Sequence, residues 1–365
     1  MTSSYDWQTI PEIVTAAHAK LPRNLWDFSC GGAETETTLR RNRSAFDYLA
    51  FRPRVLRGKT VRDTSTTFLG HKLALPVLPA PVGSIIRFDP DGALACARAA
   101  QHVGTGSFVG TLASPSLEEV AAGASAPLFF QLYVRGDHDW VRALVQRAEK
   151  AGYLGIALTV DSGAYGRRER DIHNRFLARS GHRQPNLGEG DGARSDFQAG
   201  LTWDDLDWLR DTTALPLMVK GVLCGEDASL AVQHGVDVVY VSNHGGRQLD
   251  HAPATIEVLP EIVAAVHGRA EVLVDSGFMR GTDVVKALAL GARAVCIGKL
   301  MTWALAAGGE AGLQCALELL QEEMSITMAN IGVHTIAELG PEYVRTSFPP
   351  AAAPWPVEVE TRDLT

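Results

Sequence analysis

The chain has 365 residues, is 46% hydrophobic and 21% charged, and carries a formal net charge of −8, an ordinary composition for a soluble globular protein. The acidic balance and the lack of any basic run argue against a nucleic-acid partner, and no stretch reaches the roughly 18 apolar residues of a membrane span. The five cysteines, Cys30, Cys96, Cys224, Cys296 and Cys315, are odd in number and scattered without a C-x-x-C pair, so neither a disulfide framework nor a metal site is expected. A polar start containing Asp6 offers no secretory signal, and a cytoplasmic location is expected.

In chain order, residues 1–75 predict a helix over 11–20, a helical stretch at 24–28 leading to Gly31-Gly32-Ala33, and a pair of short strands. Short apolar runs then recur at 76–81, 105–110, 127–133, 155–161, 216–221, 236–243, 271–277 and 294–299. Most are rich in the branched or aromatic residues of buried parallel strands. Helical spacing of apolar residues falls between them, over 91–102, 138–151, 226–234, 255–267 and 282–290. Gly104, Gly152, Gly235, Gly268 and Gly291 stand where left-handed helix caps are wanted.

Eight alternating β/α units predict an α/β fold, a TIM (β/α)8 barrel. A doubly wound open sheet has the same periodicity, but polar residues end so many strands that a shared ligand site at one barrel face is favoured. The expected organisation is one domain, 1–365, with the barrel at 76–340 and an N-terminal segment at 1–75 whose strand pair lies near the barrel floor. A glycine-rich, charged insertion at 171–200 follows the fourth strand and reads as a mobile lid. A proline-rich tail at 348–365 reads as extended or disordered.

The fullest chemical signal is Ser242-Asn-His-Gly-Gly-Arg-Gln-Leu-Asp250, at the end of the sixth apolar run. It delivers His244, suited to proton transfer near neutrality, and Arg247, whose fork suits a carboxylate. Lys220 ends the fifth run and is open to reading as a nucleophile, a cation beside an anionic cofactor, or an ion-pair partner. Gly298-Lys299 and Ser276-Gly277 end the last two runs, where barrels often bind phosphate. Asp275 is placed to take a hydroxyl.

With these stand Leu21-Pro22, Gly32-Ala33-Glu34, Asn42-Arg43, Phe130-Gln131-Leu132-Tyr133, Leu158-Thr159-Val160-Asp161, Gly166-Arg167-Arg168-Glu169, Val219-Lys220-Gly221, Asp275-Ser276-Gly277 and Lys286-Ala287-Leu288-Ala289-Leu290-Gly291. In this set, spread from Leu21 to Tyr343, the chain resembles the FMN-dependent 2-hydroxy acid oxidases and dehydrogenases, the family of glycolate oxidase, lactate oxidase and mandelate dehydrogenase. The resemblance implies FMN as cofactor and oxidation of a 2-hydroxy acid to a 2-keto acid. Oxygen or another electron acceptor would complete the turnover, and a homotetramer is implied. His244 would be the base, oriented by Asp161, with Tyr133 on the substrate hydroxyl. Arg247 and Arg168 would clamp the carboxylate. Lys220 would face the flavin N1–O2 edge, and Gln131, Thr159 and Ser242 its polar rim. Ala80, Pro81 and Val82 would lie against the flavin and Asp275 on a ribityl hydroxyl, with Gly277, Gly298 and Lys299 at the phosphate.

The chain also departs from the family pattern. Phe28 replaces a substrate-contacting tyrosine and cannot donate a hydrogen bond. The same change marks hydroxymandelate-oxidase-like members, which implies an aryl substrate such as mandelate or 4-hydroxymandelate. Met279 and Lys299 replace two phosphate-binding arginines, which implies weaker FMN retention. Gly110 and Leu112 replace bulkier or polar residues, which would widen the pocket near the flavin. Two other readings are carried: a lactate 2-monooxygenase-type oxidation with decarboxylation, and a silent barrel acting as a binding protein.

Overall fold

The structure, a computed structural model, describes residues 7–58, 61–176, 184–187 and 195–348. Eight parallel strands, β1 (Val77–Pro79), β2 (Ser107–Gly110), β3 (Leu128–Leu132), β4 (Ile156–Thr159), β5 (Leu217–Val222), β6 (Val238–Val241), β7 (Glu271–Val274) and β8 (Ala294–Ile297), pair in the order β1-β8-β7-β6-β5-β4-β3-β2. The edge between β1 and β2 is bridged by a side chain. The Thr105 hydroxyl lies between the carbonyls of Leu75 (2.7 Å) and Val77 (3.0 Å). The sheet thereby curls into a nearly closed TIM barrel ringed by helices. All five glycines expected as helix caps have positive φ.

Each strand alternates between an inner and an outer core. Leu78, Phe108, Phe129, Ala157, Met218, Val238, Tyr240, Leu273, Ala294 and Cys296 pack together inside the barrel. Their neighbours Val77, Val109, Phe130, Ile156, Val219, Val239, Val272 and Val295 pack against the helices. The hairpin of Thr66–Phe68 and His71–Leu73 closes the floor by placing Phe68 and Leu73 in the inner cluster. Continuing the period of two by one step along each strand reaches Ala80, Gly110, Gln131, Thr159, Lys220, Ser242, Asp275 and Gly298. The apolar interior thus changes at its C-terminal end to a layer that is polar or small.

At the N-terminus, helices α1 (Ile10–Lys20), α2 (Arg23–Cys30) and α3 (Thr37–Ser44) lead into the barrel. Three other helices had no clear periodic signal. Leu117–Gly123 is only seven residues long, with Ser116 Oγ accepting from the Glu119 amide to start it. Trp203–Thr212 begins from Thr202, whose backbone amide donates to Asp205. Lys299–Ile331 follows β8, and non-helical φ/ψ at Gly308 and Gly309 break it into two segments. Its packing on α1 and on Gly92–His102 ties the N-terminal segment to the barrel.

Phe129 is fully buried in the inner layer, edge-on to Phe68 at 5.1 Å and tilted against Phe108 at 5.3 Å. Phe129→Ala is expected to cost about 3–5 kcal/mol in urea unfolding. Ile326→Ala, at an exposed position, should stay within about 0.5 kcal/mol of the parent.

Candidate active site

The C-terminal ends of the strands surround a cavity of about 560 Å³, within the roughly 300–1,000 Å³ of small-molecule sites. Its wall includes Phe28, Ala80, Pro81, Val82, Tyr133, Arg168, Lys220, His244, Arg247, Asp275, Gly277, Gly298 and Lys299. Gly110, Gln131, Thr159, Ser242 and Asp161 stand behind that wall and act on it through their neighbours. Gln131 Nε2 donates to Thr159 Oγ1 at 2.8 Å. A Cβ on Gly110 would lie 2.8 Å from Gln131 Oε1, so the missing side chain makes room for that amide.

His244 sits just past β6 in a left-handed turn, φ 59°, with its backbone amide donating to Ser242 Oγ at 3.1 Å. Its Nδ1 faces Asp161 at 3.0 and 3.2 Å, and its Nε2 faces Tyr133 Oη at 3.1 Å. A carboxylate only accepts, so Nδ1 carries the proton and the Nε2 lone pair is directed to the phenol. Burial lowers the His244 pKa against the pull of Asp161, and Lys220 and Arg168 add to the lowering. The resting ring is therefore a neutral base. Burial alone would raise Asp161, but His244, Lys220 and Ser162 hold its carboxyl below the ordinary value. Burial, followed by Asp161, raises the Tyr133 phenol, which stays protonated.

Lys220, 5% exposed, reaches across to β6 and β7, with Nζ 2.8 Å from Ser242 Oγ and 3.3 Å from Asp275 Oδ2. Burial opposes its charge, yet Asp275, Asp161 and Tyr133 raise its pKa above the ordinary lysine value. Its ion pair and hydrogen bond hold it as an ammonium at the cavity wall, which suits a cation beside an anionic ligand better than a nucleophile.

A second group of cations lines the same cavity. Arg247 Nη1 donates to the carbonyls of Phe28 and Gly31, its guanidinium lies 4.6 Å from the Phe28 ring centroid, and its buried Nη2 has no hydrogen-bond partner among the described residues. Arg168 donates through Nε to the Arg247 carbonyl at 3.2 Å and through Nη2 to Gln248 Oε1 at 3.2 Å. Lys299 Nζ is held by the carbonyls of Ser29, Cys30 and Gly31 at 3.0, 3.1 and 2.8 Å. These oxygens form the C-terminal end of α2, the negative end of the helix dipole. Burial, with Arg247 next in weight, lowers the Lys299 pKa to about 7. Burial and Arg168 likewise disfavour charge on Arg247. An anion entering here would relieve all three cations.

These residues suit a flavin mononucleotide. The Ala80-Pro81-Val82-Gly83 stretch gives the cavity a small, apolar wall, and the Lys220 ammonium lines the same space. A Cβ on Gly298 would meet no atom within 4 Å, and Lys299 and Gly277 also line the cavity. Met279 is on the same wall and brings no charge. Sequence reasoning did not single out Arg40, Ser84, Phe88, Arg135, Ser162 or Tyr165, all of which line the cavity, and gave Gln248 no role beyond its place in the nine-residue motif. Arg40 is on α3, and the other five lie in loops between the strands and helices, where period and motif are silent.

The chain matches the FMN-dependent dehydrogenase family over residues 17–346. It is 44% identical to glycolate oxidase of Spinacia oleracea over 353 residues, covering 93% of this chain and 96% of the relative. It is also 44% identical to a peroxisomal (S)-2-hydroxyacid oxidase of Arabidopsis thaliana, covering 92% and 96%. Among solved structures, a soluble mutant of the membrane-associated (S)-mandelate dehydrogenase from Pseudomonas putida superimposes with a TM-score of 0.88 at 37% identity, covering 93% of this chain and 99% of that one. A mandelate oxidase gives 0.85 at 42% identity, with the same coverage.

Gly298 has φ −105° and ψ −72°, a negative φ that does not demand glycine. Gly298→Val should therefore fold normally while losing FMN affinity by about 1–3 kcal/mol through overpacking. The ratio of flavin to protein absorbance after dialysis measures this, and full flavin retention would move the phosphate elsewhere.

Proposed function

The chain belongs to the FMN-dependent dehydrogenase family, and on that premise we propose that it oxidises an aryl 2-hydroxy acid of the mandelate type, with oxygen as electron acceptor. FMN-dependent oxidation of a 2-hydroxy acid follows from the family. The observation that carries the aryl reading is the apolar wall beside the carboxylate-binding cations. Phe28 lies under Arg247, stacks with Phe88 at 6.4 Å and tilts against Phe176 at 5.2 Å, while Leu112 lines the same cavity. A substrate anchored by its carboxylate on Arg247 would turn its side chain toward these rings. The solved mandelate enzymes that superimpose on the chain lend support.

Converting the hydroxy acid to the keto acid removes two electrons and two protons, and FMN, when bound, supplies the two-electron acceptor. Arg247 has a buried Nη2 without a partner among the described residues to offer the carboxylate, and Arg168 stands beside it with its fork braced by Gln248. Together they fix the acid end and exclude water from it. His244 Nε2, which faces the Tyr133 phenol, would take the proton of the substrate hydroxyl, and Asp161 would stabilise the imidazolium formed there. The Tyr133 phenol, which donates to His244 here, would turn its hydrogen bond to the substrate oxygen. Lys220 holds a permanent positive charge for the electron-rich edge of the flavin. Oxygen accepting the two electrons and two protons would leave as hydrogen peroxide.

A homotetramer in the cytoplasm completes the proposal. Exposed apolar side chains at Val55, Leu56 and Val61 support an assembly contact, and the five free cysteines suit a reducing compartment. Among the described residues no helix is long and apolar enough to cross a membrane.

Burying a phenyl group contributes about 1.5–3 kcal/mol, or roughly 10–100-fold. Mandelate and 4-hydroxymandelate should accordingly exceed glycolate in kcat/KM by that factor, with hydrogen peroxide released in equal amount to keto acid. Preference for glycolate would sink the aryl reading and leave the family chemistry intact.

Because the folded-state pKa of His244 is lowered, its base form persists below the ordinary value of about 6.5. The acid limb of kcat/KM is expected below that pH. His244→Ala should abolish turnover, with a loss on the order of 10²–10⁴-fold, while the protein stays yellow. An active mutant would remove His244 as the base.

A further inference from the structure

The insertion after β4 reads from sequence as a mobile lid, yet its described residues include two buried amides plugged into the barrel. Asn186, 1% exposed, accepts from the Leu117 backbone amide at 2.9 Å and donates toward the carbonyls of Gly110 (3.3 Å) and Ala113 (3.4 Å). Gln198, 2% exposed, belongs to the short helix Ser195–Ala199. Its Oε1 accepts from the Val134 amide at 2.8 Å and its Nε2 donates to the Thr159 carbonyl at 2.6 Å.

The two backbone groups Gln198 joins lie at the C-terminal ends of adjacent strands, β3 and β4. Strand ladders stop there, and a buried backbone group without a partner is costly. A primary amide carries one acceptor and two donors on a single plane. One glutamine can therefore act as an extra rung, spanning two strands beyond the last backbone pairing.

Both ends of that rung touch the site. Val134 follows Tyr133, whose own amide donates to Thr111 Oγ1 at 3.0 Å and whose phenol faces His244. Thr159 receives the Gln131 amide on its hydroxyl. We propose that Gln198 is a positioning residue for this reaction, holding the end of β3 against β4 so that the Tyr133 phenol keeps its place at the cavity. The inference rests on Tyr133 belonging to the active site. Asn186 does the equivalent for the end of β2 at Gly110.

A double-mutant cycle on the FMN-loaded protein tests it, with Gln198→Ala, Tyr133→Phe and the pair. The readouts are kcat/KM for mandelate and the Kd of benzoylformate from its perturbation of flavin absorbance. Glycolate and glyoxylate take their place if glycolate proves the better substrate. Gln198→Ala alone should weaken both by about tenfold, falling to less than about twofold in the Tyr133→Phe background, because residues acting through one group are not additive. Equal losses in both backgrounds would make Gln198 a mere anchor and overturn the proposal. Tyr133→Phe with no effect of its own would remove Tyr133 from the site, and the proposal with it, while FMN-dependent turnover stood.

Gln198→Glu guards against a variant that does not fold. Its carboxylate still accepts from Val134 but opposes the Thr159 carbonyl, and only the protonated acid can donate to it. Relative to the parent, kcat/KM of Gln198→Glu should rise as pH falls toward the carboxyl range. A pH-independent ratio counts against the positioning role.

Discussion

The alternation of side chains along eight strands in a closed barrel is the constraint on which the rest depends. Once Leu78, Phe108, Phe129, Ala157, Met218, Tyr240, Leu273 and Cys296 are committed to the interior, the residue two places on in each strand must also point inward. Those residues are Ala80, Gly110, Gln131, Thr159, Lys220, Ser242, Asp275 and Gly298. A one-residue slip in β3, β4, β5, β6 or β7 could exchange its polar group for the outward Leu132, Leu158, Val219, Val241 or Val274. The hydrophobic interior and the polar rim are one pattern, and the packing of the first places the second.

Electrostatics give the cavity its direction. Lys220 is balanced by Asp275 and by the Asp161 charge, so it can remain a buried cation. Arg247, Arg168 and Lys299 are balanced less completely, and Arg247 and Lys299 share the carbonyl of Gly31. The C-terminal carbonyls of α2 supply partial negative charge to both. The burden of uncompensated positive charge falls where a carboxylate and a phosphate would enter, which makes ligand binding itself part of the cavity's stability.

The N-terminal segment belongs to the same arrangement. Asn42 and Asn243 hydrogen-bond through paired side-chain amides, with donor–acceptor distances of 2.8 and 2.6 Å, locking α3 to the loop after β6. Thr35 and Thr38 both donate to Asp250. The motif residues Asn243 and Asp250 therefore hold the loop carrying His244 and Arg247. Asp250 sits at the end of the nine-residue motif for this structural reason, a role that spacing alone does not reveal.

The eight apolar runs, their polar ends and the glycine caps were legible because each is a local pattern with a fixed period. The identity of the residues around the cavity was largely legible too, through His244, Arg247, Lys220 and the other motif side chains. The short helix Leu117–Gly123 and the break at Gly308-Gly309 were not, since neither produces two clear turns of period. Asn186 and Gln198 left no signal, being single amides in a polar stretch with no periodic frame.

Sequence alone determined the chemistry on offer: a base, fixed cations and a strand-end rim, because residue type sets charge and protonation. Only the tertiary structure decided the partners. Lys299 rests on the end of α2, Arg247 lies over Phe28, Gly110 yields its space to Gln131, and Gln198 bridges β3 and β4. These pairings join residues distant along the chain, and which of them meet is set by barrel closure and packing, beyond the reach of any local pattern.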